Sequence, residues 1–313
     1  MRDMAKARYN ADGVRIKHGR IAQGMVTTPS RLDIVVDVII AVVLLGVAFC
    51  CILPLWHVLM ASLSDGKRLL AHEGVLWAPA GSLNLEGFKL LFKDASIMKG
   101  YGNTLLYVVG ATTFGMTINI LGGYVLSRKT RLKPFLSIFI MFTMMFNGGL
   151  IPTYNIIRSL GWVGTRWALL IPGCTVAVFV MLMMNAFRGV PESTYEAAQL
   201  DGAGHIRTML QVALPQTGGI TVVVILNSVI LQWNSWFNAS IYVPNSRDLW
   251  PLQLWIRQIV ADNEGILLNA NPDYNRYLIQ YAVIIAATLP VLIAFPFFQK
   301  QLERGVISGA VKE

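Results

Sequence analysis

Charged and apolar positions along the chain are sorted rather than mixed. Six stretches contain no Asp, Glu, Lys or Arg: 38–63, 100–127, 134–157, 167–187, 208–246 and 277–299. Crossing the apolar core of a bilayer as a helix takes about 20 apolar residues, so each stretch predicts one span. The fifth runs for 39 residues, too long for one simple span and too short for two with a loop. It reads as a lead-in, a helix from about Gly219, and an irregular end near 234–244. The first stretch is not a cleaved signal, whose apolar region is about 7–15 residues long behind a short basic segment. Here a polar tail of 33 residues precedes a run of full spanning length. The pattern predicts an all-α membrane protein with six transmembrane helices. Residues 1–33 form a tail, 34–299 the membrane domain and 300–313 a second tail.

Composition agrees. Hydrophobic residues make up 55% of the chain and charged residues only 14%, with a mean hydropathy of +0.55. Soluble domains carry about 25% charged residues, so an ordinary soluble enzyme, a disordered chain and a disulfide-rich module are excluded. The net charge of +9 is read as topology before nucleic acid. If the N-terminus lies inside, 16 of the 26 Lys and Arg fall on inner segments and ten on outer ones. The turn 128–133 alone holds Arg128, Lys129, Arg131 and Lys133 with no acid, a strong cytoplasmic mark. Both termini are therefore expected in the cytoplasm. Two outer loops, about 62–102 and 245–276, are long enough to suggest something that binds outside; solvated connectors are an equal reading for the first.

Catalytic constellations are missing. The Gly66-Lys67-Arg68 pair lacks the rest of a phosphate-binding loop, His72-Glu73 has no second His in register, and there is no nucleophile elbow. Cys50, Cys51 and Cys174 lie in apolar stretches without metal spacing. Asp37, at the inner edge of the first span, is the acid nearest lipid and reads as an interface residue. So few buried charges argue against an ion-driven carrier and place the energy source in another chain. No catalytic or metal site is expected.

The loop 188–215, between the fourth and fifth spans, carries the strongest signal. Ser193 and Glu196 form S-x-x-E, a capping box that predicts a helix start. Ala197, Ala198 and Leu200 continue that helix, and Gly202 sits where a glycine would end it. A second helical stretch then runs to Pro215. A helix of two turns is not stable alone, so something must hold it. Glu196-Ala197-Ala198, Gly202, Val212 and Leu214-Pro215, at these spacings, resemble the EAA loop of ABC importer permeases; Val212 stands where that pattern has Ile. Residues 146–154, 166–173, 233–238 and 296–312 resemble the oligosaccharide and polysaccharide branch of carbohydrate importer permeases.

This resemblance implies a type I ABC importer permease core in a bacterial plasma (inner) membrane. It implies a second, homologous permease, two ATP-binding subunits that hold ATP and Mg, and an extracytoplasmic sugar-binding protein; it implies no nucleic-acid partner. Glu196, Ala197, Ala198 and Gly202 would form the contact with an ATP-binding subunit. The alternatives are the same architecture for a non-sugar solute, or a stand-alone channel or secondary carrier. For the sugar path, Asn227, Asn234 and Asn238 share a face if their helix continues, with Trp233, Trp236 and Phe237 beside them. Amide hydrogen bonds and flat aromatic faces suit carbohydrate. Interhelical hydrogen bonding and interface anchoring compete with that role, and packing is preferred for Asn227. Asn147 and Tyr154 join the candidate path, although Asn147-Gly148-Gly149 equally reads as a kink.

Overall fold

The computed structural model describes residues 31–261 and 272–310. The tail before residue 31, residues 262–271 and the last three residues lie outside them. The chain divides into two compact units, Met1–Leu55 and Trp56–Glu313. The described residues are helical and irregular, with no strand among them, because an apolar chain without water partners must satisfy its backbone within helices.

Helix α1 (Arg31–Ser62) fills the first charge-free stretch, and its large apolar side chains from Ile34 to Val47 are all at least half exposed. Two short helices, α2 (Gly66–Leu70) and α3 (Glu86–Lys93), occupy the loop that follows. Helix α4 (Ala95–Ser127) then runs unbroken for 33 residues, about 50 Å at the rise of an α-helix. The third stretch is divided between α5 (Lys133–Met145) and α6 (Leu150–Ser159), and the fourth between α7 (Trp167–Leu170) and α8 (Ala177–Arg188). Helix α9 (Glu192–Leu200) and α10 (His205–Arg207) lead through a π-helical turn, Thr208–Ala213, to α11 (Leu214–Gln216). Helix α12 (Gly218–Trp233) is followed by α13 (Phe237–Tyr242), α14 (Leu252–Ala261) and α15 (Pro272–Ala310).

Each of the six charge-free stretches is thus helical, but they are not six straight spans. Among the described residues three helices are long and apolar enough to cross a membrane, or up to five if each bent pair is one span, and Ala177–Arg188 is a shorter apolar helix. The expectation of one helix over 134–157 is corrected: α5 and α6 meet at 116°. The Asn147 side chain accepts from the Gly149 N–H at 3.0 Å, and Gly149 takes a φ of 86°, which together turn the chain. The fifth stretch behaves as expected, with α10–α11 as lead-in, an 89° bend, and α12 beginning at Gly218.

Helix α4 is the centre of the second unit, and α7, α8, α12 and α14 all pack along it. Near its middle a Cβ on Gly115 would collide with the carbonyl oxygen of Cys174; about two turns on, a Cβ on Gly123 would lie 2.6 Å from Met183 Cβ. These glycines let the interrupted fourth span approach α4 backbone to backbone. Two clusters result. One gathers Tyr107, Ala111, Leu170, Trp233, Trp250 and Trp255 toward the α4 N-terminus; the other gathers Met116, Tyr124, Phe179, Phe187, Tyr195 and Met209 toward its C-terminus.

Gly115→Val should therefore lower the thermal midpoint in detergent, with an overpacking cost of about 1–3 kcal/mol. Gly46→Ala, where nothing lies within 4 Å of the new methyl, should leave it unchanged. Equal melting of both variants would contradict this account of the α4 contact.

Candidate functional site

The segment with the strongest sequence signal folds as a helix held on one face. Helix α9 begins two residues earlier than the capping-box expectation. Pro191 is its N-cap, in extended geometry, and no side chain caps it. Ser193 lies inside the first turn, so the S-x-x-E reading is corrected. Proline fixes the entry angle, and Glu192 takes the first helical position, where a negative charge favours the helix dipole. The C-terminal expectation holds in detail. Gly202 takes a φ of 73°, its N–H reaches the Gln199 carbonyl at 3.0 Å, and the Ala203 N–H reaches the Ala198 carbonyl at 2.9 Å. This paired closure is the Schellman motif.

Tyr195 is buried, and its hydroxyl donates to the Phe187 carbonyl at 3.0 Å. Burial pushes the phenol up from its ordinary pKa, against the pull of Arg128. The guanidinium of Arg128, at the C-terminal end of α4, lies 3.8 Å from the centre of the Tyr195 ring. It also forks onto Glu192, with Nη2 to Oε1 at 2.9 Å and Nη1 to Oε2 at 3.4 Å. Tyr124 meets the edge of Phe187 at 5.6 Å and Tyr195 at 6.4 Å. Spacing alone grouped Ala197 with Ala198, but the structure separates them. Ala198 is buried with Tyr195, whereas Glu196, Ala197 and Gly202 are exposed. Leu200 at 89% and Ile206 at 71% exposure stand on this outer face, and Glu196 has no ion pair among the described residues. Arg128 was visible in the sequence only as a topology charge, Leu200 only as a residue continuing the helix, and Glu192, Tyr195 and Ile206 were not singled out.

The candidate path residues are not gathered in one place. Helix α12 ends at Trp233, so the condition for a shared face with Asn238 is not met. Trp233 is buried and donates through Nε1 to the Ala287 carbonyl at 3.2 Å, a packing role. Asn227 and Asn234 remain on an exposed face of α12, each bonded back to its own helix at 2.8 and 2.9 Å. Trp236 is half-buried, meets Phe237 edge-on, and carries the Arg257 guanidinium 4.1 Å above its ring. Asn238 is half-buried in α13. Tyr154 stacks on Tyr242 at 6.2 Å, and Asn147 serves the turn already described. Gln232, not singled out in the sequence, donates to the Gly173 carbonyl at 2.6 Å, which satisfies the break in the fourth span.

A polar cluster pins the N-terminal end of α4 to the segment before α14. Asn103 Nδ2 donates to the carbonyls of Asp248 at 2.7 Å and Trp250 at 3.1 Å, while its Oδ1 accepts from Arg166 at 2.9 Å. Tyr107 donates to the Leu249 carbonyl, and Thr104 Oγ1 accepts from the Leu252 N–H, both at 2.8 Å. Lys99 pairs with Asp248 at 2.9 Å, and that hydrogen bond holds the carboxyl below its ordinary range; a pair so exposed contributes little stability. Lys99, Asn103, Leu106, Arg166 and Asp248 line a cleft of about 520 Å³.

A family model described as "Binding-protein-dependent transport system inner membrane component" matches residues 124–308. Over 282 residues the chain is 30% identical to the polygalacturonan/rhamnogalacturonan transport system permease protein YtcP of Bacillus subtilis (strain 168), covering 88% of this chain and 98% of that protein. It is 27% identical over 267 residues to the diacetylchitobiose uptake system permease protein NgcG of Streptomyces coelicolor, covering 83% and 84% respectively. Among solved structures, a chain of a bacterial ABC transporter involved in the import of the acidic polysaccharide alginate superposes with a TM-score of 0.81 and 26% identity, covering 88% of this chain and 99% of that one.

The C-terminal closure of α9 has a direct check. A Cβ at Gly202 would meet nothing within 4 Å, so substitution strains only the left-handed backbone. Gly202→Ala should cost about 1 kcal/mol locally and raise deuterium uptake at the amides of Gly202 and Ala203 without lowering global stability. Unchanged exchange there would count against the motif.

Proposed function

The chain belongs to the family of binding-protein-dependent transport system inner membrane components, and from that premise we propose that it is the permease subunit of an ATP-driven oligosaccharide importer. The observation that carries this reading is the two-sided segment that starts with helix α9: Tyr195 of α9 is buried against Arg128 and the π-helical turn, while Glu196, Ala197 and Leu200 of α9, with Gly202 and Ile206 after it, are exposed. A short helix with an anchored back and an apolar, acidic front is suited to receive force from a partner. Leu200 and Ile206 offer apolar area, Ala197 permits close approach, and Glu196 offers a charge to a Lys or Arg on an ATP-binding subunit. Ala198 contributes by letting α9 sit close on its own core.

The chain itself performs no hydrolysis in this reading. Two ATP-binding subunits hold ATP and Mg and supply the energy. A second, homologous permease completes the pathway, and an extracytoplasmic binding protein delivers the sugar. Movement of the ATP-binding subunits displaces α9 and, through it, the membrane helices, so that the path opens to one side at a time. Residues 34–299 are the permease domain, with 188–215 as its coupling loop, in a bacterial plasma (inner) membrane with both termini cytoplasmic. Two side-chain contacts support that topology. Arg128–Glu192 brings the basic turn 128–133 to the same end as the coupling loop, and Lys99–Asp248 brings the first and third outer loops to the other end. Sugar as the cargo rests on the relatives, whose names specify polygalacturonan, diacetylchitobiose and alginate. Within the chain, Asn227 and Asn234 on the exposed face of α12, and Trp236 with Asn238 beyond it, offer the amides and flat ring that line such a path.

With both permeases, the ATP-binding subunits and the binding protein in liposomes, uptake of an oligosaccharide should require ATP. Glu196→Lys combined with Gly202→Pro should abolish it while leaving the purified chain folded. Undiminished uptake by that double variant would remove the coupling role of α9.

A further inference from the structure

We infer that Arg128 is the positioning residue of the coupling step: it fixes α9 to the end of α4 and delivers the displacement of α9 to that helix. The inference rests on the coupling role of α9 proposed above and adds the route by which its movement leaves the loop.

Three observations at the residue itself carry it. Arg128 is the residue at which α4 stops: its N–H still bonds to the Val125 carbonyl while its backbone turns extended. No flexible tether therefore separates the guanidinium from the helix. That guanidinium is engaged twice, by two hydrogen bonds to the Glu192 carboxylate and by its position over the Tyr195 ring. A planar fork can serve both at once, whereas an ammonium cannot. The grip on Tyr195 is firm because the ring is 2% exposed and its hydroxyl is tied to Phe187 at the end of α8. Helices α4, α8 and α9 thus meet around one cation.

The other basic residues of the same turn set the comparison. Among the described residues Lys129, Arg131 and Lys133 make no ion pair and no ring contact. A topology charge needs only water and anionic lipid, which suits those three. It does not require a guanidinium wedged between a carboxylate and an aromatic face with its side chain only 23% exposed. Helix α4 is also the right recipient. It packs along α8 and α12, and its far end is bonded to the segment 248–252 through Asn103, Thr104 and Tyr107. What α9 imparts at Arg128 reaches the other side along one unbroken helix.

The test uses the complete reconstituted transporter and reads sugar molecules taken up per ATP hydrolysed. Arg128→Gln should lower that ratio on the order of tenfold, as expected for loss of a paired cation and its ring contact, with the ATP-binding subunits still co-purifying in full. Arg128→Lys should fall between the two. Arg128→Glu and Glu192→Arg should each uncouple, and together recover part of the ratio, which a merely structural residue would not do. A normal ratio in Arg128→Gln would overturn the inference. Should that variant fail to assemble, Glu192→Gln, altered at a half-exposed carboxylate, carries the same measurement: a lowered ratio supports the clamp, and normal ratios in both Glu192→Gln and Arg128→Lys overturn it. The two readings fail separately. Undiminished uptake by the Glu196→Lys, Gly202→Pro protein removes the coupling role itself, whereas loss there with a normal ratio in Arg128→Gln removes only the clamp.

Discussion

The close approach between α4 and the interrupted fourth span is the constraint on which the membrane domain depends. In lipid there is no hydrophobic drive to bring helices together, so association rests on van der Waals fit and hydrogen bonds. Gly115 and Gly123 supply the fit by removing the side chains that would hold the backbones apart. The interruption at 171–176 frees carbonyl groups that lipid could not satisfy. Packed against α4 it becomes tolerable: the Gly173 carbonyl accepts from Gln232, and the Thr175 hydroxyl bonds to the buried side chain of Asn119 on α4. Helix α12 is recruited by the same break, because Gln232 belongs to its last turn. Three elements are thus fixed by two glycines and two polar bridges.

Once α4 is fixed at its middle, its ends acquire their roles. The N-terminal end is held mainly by hydrogen bonds to backbone carbonyls, from Asn103 and Tyr107, which bind the segment before α14 with little demand on its side chains beyond the exposed Lys99–Asp248 pair. The C-terminal end is held by a charged fork and a ring face, contacts that select their partners. The segment before α14 can vary in sequence over such a seat, whereas α9 is held only through its own Glu192 and Tyr195.

Much of this was legible in the chain, and the misses share a cause. Runs without charge located every helix among the described residues that is long and apolar enough to cross a membrane, and the fifth run announced its own irregularity by its length. The breaks in the third and fourth spans were written as Asn147-Gly148-Gly149 and Pro172-Gly173, but hydropathy is blind to backbone direction, so a run of spanning length read as one span. The S-x-x-E pattern misplaced the start of α9 because Pro191 sets the geometry there and Glu192, not Glu196, meets the cation. Trp233 looked like a sugar platform beside Asn234 and is instead a buried donor to Ala287; which side of a helix faces its neighbours depends on contacts distant in sequence. Arg128 and Glu192 are 64 residues apart, a separation that leaves no local signature.

The balance of forces on α9 follows from these contacts. At nine residues the helix lacks the length to persist alone, so its order comes from its seat. Burying a large side chain contributes about 1.5–3 kcal/mol, which makes Tyr195 a stronger holdfast than the Arg128–Glu192 pair, worth about 1 kcal/mol at most where water reaches it. Burial resists withdrawal in any direction but is indifferent to small rotations, whereas the forked pair is directional. Leu200 and Ile206 stand exposed on the opposite face, so a partner covering both gains as much as Tyr195 supplies on the inside. The helix therefore has comparable adhesion on its two faces, and only three residues, 189–191, join it to α8. Such an element is freer to turn about its short tether than to detach from its seat, and the directional contact at Arg128 sets its orientation relative to α4.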